Sequence, residues 1–160
     1  MSAAAFATGI RTLLSGDATL QAALNSLLGY GVTRVIRGNQ PWNTIPSDLW
    51  PTWIIEQGDG SAGSITNDGS DVDGLTIGHT RAGFTSELDI ALLWTESDRE
   101  TAAGQRAALP TLIAQLMLRN PGAGGVSLAR LERWQPDQGI NHPRQVWIAT
   151  LRAEYPIFRS

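Results

Sequence analysis

The chain contains no cysteine and no lysine. The first absence excludes disulfides, thiolate metal centres and a cysteine nucleophile. The second leaves all 12 basic charges on arginine, against 15 acidic residues, for a net charge of −3. A weakly acidic chain with no basic run lacks the concentrated positive field needed to grip nucleic acid. Charged residues are scarce at 17%, below the ~25% of an ordinary soluble domain. No apolar run approaches the ~18 residues that span a bilayer. The opening MSAAAFATGIRTLLSG has no basic stretch ahead of its apolar part, so it reads as helix and not as a leader.

What is present is enough for a core. Apolar residues make up 42% of 160 positions, which argues against disorder. That length predicts a single domain, 1–160. Ala3, Phe6, Ile10, Leu13 and Leu14 fall at helical spacing. Gly16 interrupts, and Asp17 caps a second run carrying Leu20, Ala23, Leu24, Leu27 and Leu28. Gly29 stands where a helix ends. The pattern predicts a helical pair over 3–15 and 18–28.

Val32 to Arg37 reads as a short strand. Pro41, Pro46 and Pro51 then forbid a regular ladder over 38–51, and Trp53 to Gln57 is the next strand. Residues 58–74, GDGSAGSITNDGSDVDG, read as a long flexible loop or the tip of a hairpin. Leu75 to Thr80 is a further strand, with a turn at 81–83. Thr85 to Thr95 alternates: Leu88, Ile90, Leu92 and Trp94 against Glu87 and Asp89, as in a half-buried antiparallel strand. Ser97 and Glu100 match a capping box, opening a helix with Leu109, Leu112, Ile113, Leu116 and Met117 on one face. Pro110 inside it predicts a kink or break near 106–110. Residues 126–134 and 145–155 read as a closing strand pair. The order predicts an α+β fold: a mostly antiparallel sheet, N-terminal helices and one central amphipathic helix, packed on one face.

Few constellations suggest chemistry. Asn67, Asp68, Asp71 and Asp73 are oxygen donors, but the EF-hand register fails. With Gly74 as sixth position, the first is Gly69 and the twelfth Thr80. His79 is placed to face Asp89 or Glu87 across a hairpin, a base with an orienting acid. Neither Ser86 nor Ser97 sits in a nucleophile elbow. His142 lies in a proline turn. Pro121 to Gly125 follows a helix and precedes a strand, the reverse of a phosphate loop. Arg130, Arg133, Arg144 and Arg152 have Glu132 and Glu154 as natural cross-strand partners.

Tryptophan carries more. There are six. Trp94 and Trp147 lie in apolar strands and are expected in the core. Trp42 and Trp50 follow the arginine strand ending at Arg37; they either fold back on their own domain or anchor a neighbour, as tryptophan and arginine do at interfaces. Arg37, Trp42, Trp50, Asp68, Asp71 and Asp73 are the expected docking residues.

The chain resembles the tail terminator and tail-completion (head–tail neck) proteins of long-tailed bacteriophages. The resemblance is carried by the opening helix with its capped second turn (Ile10 to Leu28), the early strand before a loop-rich arm, and the hairpin around Gly58 to Gly74. The helix Asp98 to Asn120 and the closing strand Gln145-Val146-Trp147-Ile148-Ala149-Thr150-Leu151-Arg152 complete it. It implies a structural subunit without catalysis or cofactor, forming a ring, six-membered in that family, at the head-proximal end of the virion tail. Implied partners are further copies of itself, the tail tube protein and the head connector, with DNA passing through the lumen. It implies no membrane contact and synthesis in the host cytoplasm. The alternative from another class is a small hydrolytic or metal-binding enzyme built on His79 and nearby carboxylates, and a third is a monomeric ligand-binding module.

Overall fold

The computed structural model describes residues 3–38, 44–65, 71–73, 81–123, 128–136 and 142–158. Two helices open the chain, α1 (Ala3–Gly16) and α2 (Ala18–Leu28). Their junction follows from two residues. Asp17 is extended at φ −69° and ψ 113°, and its carboxylate accepts from the Leu20 amide. Gly29 ends α2 in the left-handed region at φ 86°, its N–H returning to the Asn25 carbonyl, a conformation that costs glycine least.

A half-buried amide ties this pair to the segment that follows it. Gln21 Nε2 donates to the carbonyls of Leu14 and Val32 at 2.7 and 2.8 Å, and its Oε1 accepts from the Val32 amide. Gly31 makes room for it: a Cβ there would lie 2.6 Å from that oxygen.

Six strands follow: β1 (Val35–Arg37), β2 (Thr52–Ile65), β3 (Asp71–Asp73), β4 (Arg81–Thr95), β5 (Leu128–Pro136) and β6 (Arg144–Phe158), with α3 (Arg99–Arg119) between β4 and β5. They form one sheet in the order β1-β2-β4-β6-β5, with β3 also paired to β2. Among the described strands only β1–β2 is parallel. The α+β class and the mostly antiparallel sheet are as expected, and β6 is internal, as its two apolar faces suggest.

Alternation along the strands sorts side chains between the two faces. Trp53, Ile55, Leu88, Ile90, Leu92, Trp94, Trp147, Ala149 and Leu151 are buried with Phe6, Ile10, Leu14, Leu20, Leu24, Leu109, Ile113 and Leu116 from the helices. At about 1.5–3 kcal/mol for each large side chain removed from water, this cluster dominates stability. The opposite face carries a smaller cluster, Ile54, Leu93 and Val146, covered by Ile45 with Leu49 and Trp50. That cover is the short stretch from Ile45 to Trp50, built around the 3-10 turn Ser47–Leu49.

Several expectations need correction. Strand β2 runs to Ile65, not 57. Its glycines signal turns, but β4 supplies ladder partners through Ile65↔Arg81, with a register shift between Gln57 and Gly60. A bulge absorbs what looks like a break. Residues 81–83 are strand, not turn, because β6 pairs with them as well. The strand expected at 75–80 lies outside the described residues. The cap of α3 is Asp98, which accepts from the Thr101 amide and hydroxyl at 2.8 and 2.6 Å, so Ser97 and Glu100 form no capping box. Of the kink or break expected near 106–110, the break does not occur: α3 is one helix through Pro110. A mid-helix proline costs about 3 kcal/mol. Burial of Leu109, Ile113, Leu116 and Met117 around it outweighs that at about 1.5–3 kcal/mol apiece.

Candidate docking surfaces

Of the sequence-derived docking residues, Trp42 and Asp68 lie outside the described residues, as does His79. Arg37 is exposed at the end of β1. Trp50 is half-buried: its Nε1 donates to the Ile45 carbonyl at 3.3 Å, and the Arg144 guanidinium sits 5.6 Å from its ring centroid. Asp71 and Asp73 lie in β3, in register with Ile65 and Gly63. Trp94 and Trp147 are fully buried, as expected.

The acids considered as partners of His79 are engaged elsewhere. Asp89 accepts from the Thr150 hydroxyl at 2.6 Å, and Glu87 pairs with Arg133 at 3.1 Å. Hydrogen bonding to Glu87, reinforced by its charge, raises the Arg133 pKa further. Next to this pair, Arg130 reaches Glu132 at 3.1 Å and Glu154 at 3.8 Å, and Arg152 reaches Glu132 at 3.7 Å. Two of the four grouped arginines, Arg130 and Arg152, therefore meet the expected glutamates, while Arg133 pairs with Glu87 and Arg144 turns to Trp50. The result is a charge-compensated ladder on the face away from the helices. Its members are largely exposed, so each pair contributes at most about 1 kcal/mol.

At the end of β4 the polar groups are buried and satisfied. Trp94 Nε1 donates to Gln105 Oε1 at 2.8 Å, and Gln105 Nε2 donates to Glu96 at 3.2 Å. Gln145 donates to the Glu96 and Pro143 carbonyls, approaches His142 Nδ1 at 3.3 Å and accepts from Arg106. Burial, with Glu96 nearby, raises the Tyr30 pKa. This network locks the start of α3 to β4 and β6. Among the described residues no three histidine or acidic side chains converge as a metal site, and no helix is long and apolar enough to cross a membrane.

A surface the sequence reading missed lies between α3 and β5. A shallow groove of about 470 Å³ is lined by Ala103, Arg106, Ala107, Pro110, Thr111 and Trp134. Trp134 is 53% exposed. The outer side of α3 is nearly as uncharged as its inner side. No charged residue occurs from Ala107 to Leu118, and Ala107, Thr111 and Leu118 are exposed, Leu118 by 80%. A helix side without charge lacks the charged face that a surface helix ordinarily turns to solvent. The signal was available in the sequence as that uncharged stretch, but the buried stripe Leu109–Met117 drew the reading inward.

No family model matches the chain, and no curated protein resembles it closely enough to register. Its fold does recur among solved structures. A chain in a structure described as "Virion of native gene transfer agent (GTA) particle" superposes with a TM-score of 0.52. The match is at 15% identity and covers 94% of both chains. A second solved structure covers 100% of this chain and 99% of its own at 15% identity, with a TM-score of 0.48. At such identities the likeness is one of fold.

Proposed function

We propose that this chain is a structural subunit of a phage-like virion: a tail terminator that assembles into a six-membered ring at the head-proximal end of the tail tube. In this reading the ring ends tube polymerisation and joins the tail to the head connector. Its partners are copies of itself, the tube protein and the connector, and DNA passes through its lumen. It acts by shape and contact, without catalysis. The observation that carries the reading is the fold match to a gene transfer agent virion chain over 94% of both lengths. The uncovered outer side of α3 and the exposed Trp134 agree with a subunit whose surface is completed by neighbours.

The test is the purified protein itself. Light scattering and negative-stain imaging should find a ring with a mass near six times 17.2 kDa, and adding it to polymerising tail tube protein should cap growth. A single chain at every concentration, with no effect on tube length, sinks the reading.

A further inference from the structure

We propose that the α3–β5 groove of one subunit receives the acidic β2–β3 end of the next subunit, a contact that rests on the ring reading above and specifies how the ring closes. The groove has a charge to satisfy. Arg106 is half-buried and donates to the neutral Gln145 amide; among the described residues it makes no ion pair. Among the residues whose burial is described, the other half-buried arginine, Arg152, has Glu132. An arginine and an exposed tryptophan flanking a small-residue groove suit an acidic segment with some apolar character.

The chain holds such a segment. Beyond the level of Ile55, strands β2 and β3 carry Asp59, Asp71 and Asp73, with Ile65 and Val72, and no arginine. It cannot serve its own groove. Trp134 pairs with Ala149, which pairs with Ile90, which pairs with Ile55, so the groove is level with Ile55 in the ladder. The β2–β3 pairing at 63–65 begins eight residues further on, roughly 26 Å along the strand at ~3.3 Å per residue. It also lies on the opposite side of the sheet, with β4 and β6 between. Donor and receiver at opposite edges make the contact head-to-tail, the type that closes into rings.

The experiment mixes two defective subunits. Trp134→Ala damages the groove and keeps the acidic end. Asp59→Asn/Asp71→Asn/Asp73→Asn neutralises the end and keeps the groove. Ala107→Glu, at an exposed position, is a second groove variant that repels the acids without removing Trp134. Thermal melts establish that each is folded, and native mass spectrometry reads assembly. Each variant alone should associate at least tenfold more weakly than the unmodified chain, and a groove variant mixed with the end variant should give one-to-one dimers that grow no further. If all variants assemble like the unmodified chain, this contact is wrong and the ring stands. If they fail singly and also fail to pair, the two surfaces are not each other's partners. If the unmodified chain never associates, the ring reading falls and this contact with it.

Discussion

The two faces of the sheet are built by the same strands and held by different means. Towards the helices, Trp53, Leu92 and Trp147 belong to one continuous cluster roofed by three helices. On the other face, Ile54, Leu93 and Val146 form a patch under one short turn, and beyond it the surface passes to Glu87, Asp89, Arg133 and Arg152. Neighbours in sequence such as Leu92 and Leu93 are both fully buried, yet one is walled in and the other lies beneath a thin lid. Equal burial therefore does not mean equal energetic weight, because the cost of a cavity depends on how readily its surroundings collapse.

Truncating those two leucines gives the largest effect and the most direct way to break the contrast. Leu92→Ala should cost about 4–5 kcal/mol and Leu93→Ala about 2–3 kcal/mol, within the range for buried leucine, read by urea unfolding. Equal losses would show that the small face is packed as rigidly as the large one.

Next come the tryptophans of the helical face. Trp94 donates to Gln105, whereas the buried Trp147 Nε1 has no partner among the described residues. Trp94→Phe strands a buried acceptor and should cost about 1–3 kcal/mol more than Trp147→Phe, which removes an unsatisfied donor. Thermal melts of the pair decide it.

A smaller effect is expected at Asp17. Burial opposes its ionisation, but the Leu20 amide and Arg119, 2.9 Å away, outweigh that and hold its pKa below the ordinary aspartate value. The folded state therefore gains stability above the unfolded pKa near 4 and loses it as pH falls through the depressed folded value. Asp17→Asn keeps a good N-cap but removes the charge beside Arg119 and the start of α2, so it should cost about 0.3–1 kcal/mol at pH 7, and the gap from the unmodified protein should narrow below pH 4. A gap constant down to pH 2 would remove the charge from the argument. The smallest change belongs to the ladder: Glu87→Gln should shift stability by less than about 1 kcal/mol, and less again in high salt.

Legibility in the sequence followed the same division. The helical face was readable because single elements encode it: the stripes of α1 and α2, Asp17, Gly29 and the alternation from Leu88 to Trp94 are local signals. Where a neighbour decides, the reading failed. The glycines of 58–65 become strand only because β4 lies beside them, and Pro110 stays helical only because the core holds both its flanks. The same limit applied to docking. Trp50 drew attention by its proline-rich setting and is half-buried against its own sheet, whereas Trp134 was passed over among polar residues. Its exposure becomes evident only when α3 and β5 are seen together.

One further consequence lies in the pairing of β4 with β6, which keeps a single register from Arg81↔Phe158 to Thr95↔Arg144. Bonds perpendicular to the strands, loaded along the strand axis, are strained in parallel and not one after another. A pull on the far end of this pair is thus shared by the whole ladder and delivered to the helical core, with no hinge in between to absorb it.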